Sequence, residues 1–311
     1  MHAVDQIKKI IRQHTRVETV TFFLYSRVHF FILTVRAVIT NACVTFLNKL
    51  TVKKDIAGIM ISKTPSVRLR DGRTYLWDPK DRNSLLGLPY YGEWEPEETH
   101  FIKHHVKNGD TVIDIGANYG YYTILFSKLV GPSGSVHAFE PLSDMVSLIR
   151  RNIELNNLDN NVHIVNKGLS NHKSDVMLYT YKELGSGATS ASRRWFGACT
   201  KHRAHMITLD AYVKQQRIRK VHFIKCDVEG AEMLVFQGSK NVLLRDQPTI
   251  LFEITNARVK FGYSQKDIFS FLEKYNYLFY QIQNNRLIRI QNPETFFGDC
   301  IALSHRGKSA L

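Results

Sequence analysis

Residues 109–120 read GDTVIDIGANYG, and the fold turns on this stretch. Thr111–Ile115 is a short β-branched run suited to a strand buried on both faces. The segment Tyr121–Val130 after the glycines has helical patterning and stops at Gly131-Pro132. A strand, a tight turn and a helix in that order open a strand–helix–strand unit. In a doubly wound sheet, ligands bind beyond the carboxyl ends of the strands. Gly116 allows the backbone to turn there, Gly120 permits close helix–strand packing, and Asp114 brings a carboxylate to the same end.

The alternation continues outward. Val136–Phe139 reads as a second strand, and Ser143–Asn156 as a helix with Met145, Val146, Ile149 and Ile153 on one face. Val162–Val165, Val176–Tyr181, Val221–Cys226 and Thr249–Ile254 read as strands, and Ala231–Gln237 as a helix with Gly238 as its C′ residue. Ser264 and Asp267 form a capping box opening a helix to Lys274. Tyr277–Gln283 and Arg286–Ile290 form a closing hairpin around Asn284-Asn285. Upstream, residues 66–78 alternate around Asp71-Gly72, which predicts a type I′ hairpin. The whole predicts one doubly wound α/β domain.

The second strand ends in Phe139-Glu140-Pro141, with Glu140 26 positions after Asp114. An acid at that place reaches the two hydroxyls of a ribose. The dinucleotide fingerprint G-x-G-x-x-G would put its first glycine near position 114. An aspartate there repels a pyrophosphate and suits a cationic nucleoside, such as the ammonium and sulfonium of S-adenosylmethionine. A third signal, KCDVEGAE (225–232), closes the central strand. Its carboxylates can orient an acceptor hydroxyl or take its proton. With Glu253 they could instead hold Mg²⁺ or Ca²⁺, but no histidine joins them and the metal reading is not favoured.

These motifs, with TLD (208–210) and ILFEI (250–254), resemble the FkbM-type methyltransferases over about residues 92–290. The resemblance implies the class I (Rossmann-like) fold, with a mostly parallel seven-stranded sheet, and dependence on S-adenosylmethionine. It implies cofactor contacts at Asp114, Gly116, Asn118, Gly120 and Glu140. It implies acceptor-side, catalytic roles for Lys225, Asp227, Glu229 and Glu232. The acceptor itself does not transfer: a hydroxyl of a small-molecule, glycan or lipid-linked compound is expected.

Composition sets the outer limits. The chain has 311 residues, 44% hydrophobic and 23% charged, which excludes wholesale disorder and a fibrous protein. Lys and Arg outnumber Asp and Glu by 42 to 28, so anionic partners are favoured. Cys43, Cys199, Cys226 and Cys300 are scattered, which argues against a disulfide scaffold or a zinc ribbon. Residues 1–19 read as a basic amphipathic helix, and residues 20–47 are apolar but interrupted by Arg27, His29, Arg36 and Asn41. Residues 1–50 could thus lie on an anionic membrane surface, span it marginally, or pack on the domain. The expected location is cytoplasmic, or membrane-associated and facing the cytoplasm.

The expected divisions are a helical extension (1–55), a hairpin lead-in (56–95), the catalytic domain (96–291) and a tail (292–311). Residues 184–207 read as a basic loop with Arg193, Arg194, Lys201 and Arg203, anchored by Trp195 and Phe196, that would suit an anionic or glycan acceptor. His172, His202 and His205 are candidate bases or ordinary surface histidines. No RNA-binding module or N/D-P-P-[YF] motif occurs, so nucleic acid is not an expected partner. Two other classes compete: a membrane-tethered, non-catalytic binding protein on the same fold, and a nicotinamide-dependent oxidoreductase, which lacks its glycine and hydride-transfer pair here.

Overall fold

The computed structural model describes residues 66–69, 71–76, 93–158, 160–181, 185–190 and 199–304. The expectations for residues 1–55, and for Arg193, Arg194, Trp195 and Phe196, lie outside these. In chain order the strands are β1 (Ser66–Arg68), β2 (Thr74–Leu76), β3 (Thr111–Ile115), β4 (Ser135–Phe139), β5 (Val162–Val165), β6 (Gly168–Leu169), β7 (Ser174–Tyr181), β8 (Gly185–Ser190), β9 (Cys199–Ile207), β10 (Phe223–Cys226), β11 (Thr249–Ile254), β12 (Tyr277–Gln283), β13 (Arg286–Arg289) and β14 (Gly298–Ser304). The helices are α1 (Pro96–His105), α2 (Tyr121–Val130), α3 (Ser143–Leu155), α4 (Leu209–Gln215), α5 (Glu232–Gln237), α6 (Lys240–Asp246) and α7 (Gln265–Glu273), with a 3-10 turn at Asn256–Phe261. Among the described residues no helix is long and apolar enough to cross a membrane.

The central sheet has the order β13-β12-β14-β11-β10-β3-β4-β5. Pairing is parallel from β11 to β5 and antiparallel at β11–β14, β14–β12 and β12–β13. Six strands therefore run one way, and β13 and β14 run against them. This is the mostly parallel class I sheet, with β13 added at the edge as an eighth strand.

Strand alternation sorts the side chains into two layers. Val112, Phe223, Leu251 and Ile301 pack with α1 and α2, through Phe101, Ile102, Ile124 and Phe126. Ile113, Ile224, Ile250 and Phe252 pack on the opposite face with Val213, Val235, Leu243 and Phe269 from α4 to α7. By the same parity, Asp114, Lys225, Glu253 and Asp299 all belong to the α1/α2 face.

Several turns form as their sequence dictates. Ser264 and Asp267 make the reciprocal capping box of α7. Asn284 and Asn285 both have positive φ, as a type I′ hairpin requires. The first hairpin differs from expectation: of Asp71 and Gly72 only Gly72 is left-handed. Leu69 N–H donates to Arg73 O, and Gly72 N–H donates to Leu69 O. The loop is thus three residues long, the geometry that takes a single left-handed glycine. Gly238 is not left-handed either, with φ −85°. It is small because a Cβ would lie 2.1 Å from Ser170 O.

The basic segment read as a loop is largely strand. β8 and β9 join β6 and β7 in a second sheet of order β6-β9-β7-β8. The inward positions of β9 are His202, Ala204 and Met206, a histidine and a small residue among them, so the period-2 signal is too weak for a hydrophobicity reading. Arg203 Nη2 lies 2.6 Å from Asp175 Oδ2, and His205 also pairs with Asp175. His202 bonds Thr180 Oγ1 and His172 bonds Asn171 Oδ1. All three histidines are thus engaged by neighbours in or beside this second sheet.

Candidate active site

The GDTVIDIGANYG turn is held to the second strand by its backbone. Gly116 and Ala117 N–H groups donate to Phe139 O at 3.0 and 3.1 Å. Gly116 has φ +81°, and a Cβ on it would lie 1.9 Å from Asp227 O. Only glycine fits there, and the first and third motifs touch at that point. Asn118 is left-handed with φ 52°, and Gly120 with φ 90° is the N-cap of α2.

Glu140 crosses between the loops. Its Oε2 accepts from Asn118 N–H and its Oε1 from Leu142 N–H, both at 2.9 Å. The residue is buried, and burial pushes its carboxyl up to about 7 against the pull of those two N–H donors. Asp114 lies deeper, 1% exposed, with Oδ2 accepting from Thr123 Oγ1 at 2.6 Å. Burial raises its carboxyl, and Lys225 and Thr123 oppose the rise. Asp114 and Glu140 are thus both buried at the carboxyl ends of neighbouring strands, Asp114 against Thr123 and Glu140 between the two loops.

Lys225 is the cross-strand partner of Asp114. Its Nζ donates to Asp227 Oδ2 at 3.0 Å and stands 4.6 Å from the centre of the Tyr122 ring. Burial disfavours the ammonium, but Asp227, Glu95 and Asp114 outweigh it and hold Lys225 charged. Asp227 and Glu229 are half-buried beyond the strand end. Glu229 is left-handed, and Gly230 (φ +101°) packs against the Ala257–Arg258 backbone, where a Cβ would fall 2.5 Å from Ala257 C.

Glu232 has a different placement from its neighbours. It is 1% exposed, and its Oε1 accepts from Val228 N–H at 3.3 Å and Gly230 N–H at 3.2 Å. It shapes the 227–231 loop from within. Burial pushes its carboxyl up to about 7.

Two acids and a tyrosine from outside the sequence motifs join Glu253 in the site. Glu253 and Asp299 are in register across β11 and β14. Burial first, then Asp227 and Glu229, push Glu253 up to about 7. Burial first, then Glu95, Glu98 and Glu253, push Asp299 up to about 8, against Lys225. Glu95, preceding α1, accepts from Tyr122 Oη at 2.6 Å. A Glu before Pro96 and an Asp opening the last strand carry no local signal of this convergence. Among the described residues, no group of three or more His, Cys, Asp or Glu is arranged to hold a metal ion.

The first hairpin also supports the crevice. Asn152 of α3 receives Leu76 N–H and donates to Leu76 O and Tyr119 O, and Asn156 pairs in the same way with Thr74. Two amide side chains thus serve β2 as an adjoining strand would. Arg73, 1% exposed, stands 4.9 Å over the Tyr121 ring.

The crevice between loops 115–120 and 139–142 is bordered by Glu140 and, beneath it, Asp114, with the nearby cation Lys225 committed to Asp227. That pair of acceptor carboxyls fits a nucleoside with ribose hydroxyls and a positive charge, and it opposes a pyrophosphate.

The profile of the methyltransferase FkbM domain matches residues 114–279. Methyltransferase 1 of Beauveria bassiana is 28% identical over 146 residues, 41% of this chain and 57% of that protein. Methyltransferase sdnD of Sordaria araneosa is 25% identical over 155 residues, 41% of this chain and 59% of that protein. The matches span a little under two thirds of these relatives. Among solved structures, an FkbM methyltransferase from Methylobacillus flagellatus aligns at TM-score 0.42 and 13% identity, over 62% of this chain and 43% of that one. An O-methyltransferase from Bacillus cereus, in complex with SAH, aligns at TM-score 0.39 and 14% identity, over 71% and 86%. With the FkbM domain matched over more than half its length, the chain belongs to the FkbM methyltransferase family.

Proposed function

We propose that the protein transfers a methyl group from S-adenosylmethionine to a hydroxyl of a small-molecule, glycan or lipid-linked acceptor. The donor supplies a methyl already activated by its sulfonium, so the chain's task is placement and proton removal. Placement of the reacting atoms at about 3–3.5 Å contributes roughly 7–11 kcal/mol. Glu140, at the carboxyl end of the second strand, would accept from the ribose hydroxyls through the lone pairs its two N–H donors leave free. Asp227, fixed by Lys225 and half-buried beyond the strand end, can orient the acceptor hydroxyl and take its proton, with Glu253 nearby as a second carboxylate.

The observation that carries this reading is the Lys225–Asp227 pair, held where Gly116 meets Asp227. The test is titration calorimetry with S-adenosylmethionine and with NADH, followed by mass spectrometry of cell extract incubated with enzyme and deuterated-methyl donor. Asp227→Asn is expected to keep donor binding and lose about 10²–10⁴ in transfer rate. Failure of the wild type to bind S-adenosylmethionine, or preference for NADH, would overturn the assignment.

A further inference from the structure

A second surface lies at the other end of the sheet. Lys214, Arg217 and Arg245 line a cleft of about 400 Å³ whose apolar walls are Val213, Ile218 and Val242. Arg219, Lys220 and Lys240 are exposed around it, making six exposed cations between positions 209 and 247. The two carboxylates of α4 and α6, Asp210 and Asp246, are consumed. Asp210 accepts from Asn241 N–H, Asn241 Nδ2 and Val242 N–H, tying α4 to α6. Asp246, with its side chain 3% exposed, accepts from Val221 N–H and pairs with Arg245. Among the described residues, Lys214, Arg217, Arg219, Lys220 and Lys240 form no ion pair. Leu244, one helical turn after Lys240, is 67% exposed in the middle of this charge.

We propose that this α4–α6 face docks on an anionic lipid bilayer. Each exposed cation near such a surface contributes about 1 kcal/mol, and a projecting leucine adds burial at the acyl boundary. The leucine distinguishes a bilayer from a free anion or a nucleic acid, neither of which offers it an apolar partner. The cleft gives its three cations a shared seat for lipid phosphates. The placement also suits a working enzyme. Arg217–Lys220 precede the amino end of β10 and Arg245 the amino end of β11, while the crevice lies at their carboxyl ends. Docking here leaves the active-site mouth open, and it is independent of which acceptor is methylated.

The test is co-sedimentation of the full chain with phosphatidylcholine vesicles, with and without 30 mol% phosphatidylserine, at fixed ionic strength. Residues 1–50 are common to all variants, so differences between variants report the face. Binding to the anionic vesicles is expected to fall at least about tenfold in K214E/R217E and several-fold in Leu244→Asp, with donor binding unchanged. A Leu244→Trp variant is expected to shift its emission to the blue on anionic vesicles, and inorganic phosphate at equal ionic strength is expected not to displace it. Unchanged partition of both charge and leucine variants, no emission shift, displacement by phosphate, or stronger binding to polyglutamate than to the vesicles would each overturn the proposal.

Discussion

Glu253 on β11 and Asp299 on β14 face each other in register at the edge where the active-site loops begin. Both carboxyls keep their protons far above the ordinary range, to about 7 and about 8. In the unfolded chain they ionise near 4, so between these limits the folded state binds more protons. The stability they confer is complete in acid and is lost as pH rises through 7 and 8. Asp299→Asn is expected to flatten this decline by on the order of 1–2 kcal/mol between pH 5 and 8.5. Urea denaturation at the two pH values checks it; an unaltered slope would refute the pairing.

Two glutamates predict opposite responses to the same substitution. Glu232 receives both its loop N–H groups on one oxygen, which a glutamine amide can reproduce. Glu232→Gln should fold normally, with weaker pH dependence between about 4.5 and 7, again in the sense of less stability lost as pH rises. Glu140 uses one oxygen for each N–H, so Glu140→Gln must turn an NH₂ toward a donor. That variant should lose about 1–3 kcal/mol and most of its S-adenosylmethionine affinity. Thermal melts and calorimetry on both separate the two cases.

Lys225 is the buried cation between Asp114 and Asp227. Removing it strands charge that burial penalises, and Lys225→Met should cost about 3–5 kcal/mol. The double variant K225M/D114N should recover part of that loss, because Asn can still accept from Thr123 through its carbonyl. Additive losses in a double-mutant cycle would show that Asp114 and Lys225 do not communicate.

Gly116→Ala introduces a Cβ into backbone at 1.9 Å in a left-handed conformation. It should destabilise the chain by about 3 kcal/mol or more. Asn118→Gly, at φ 52°, should be tolerated for folding, since glycine adopts that conformation without penalty. Chemical denaturation of the pair provides an internal control.

What could be read from the sequence was local. The edges of β3 and α2, the Ser264 box and the Asn284-Asn285 turn each follow from neighbours a few residues apart. The places of Gly116, Asn118, Gly120 and Glu140 at the ends of β3 and β4 were legible because strand–turn–helix order fixes where they emerge. Glu95 and Asp299 were not, since they reach Lys225 only through the packing of α1 and the insertion of β14 beside β11. The service that Asn152 and Asn156 give β2 was hidden for the same reason: polar residues on a helix ordinarily face water. Strand β9 was concealed because its inward face offers His202 and the small Ala204 in place of a run of large apolar side chains.

The abutment of Gly116 on the Asp227 carbonyl joins two segments more than a hundred positions apart into one mechanical part. Neither can be exchanged alone. A protein engineer who transplants an acceptor loop from a relative must carry over the path of the chain at 227, or the donor seat will be displaced with it.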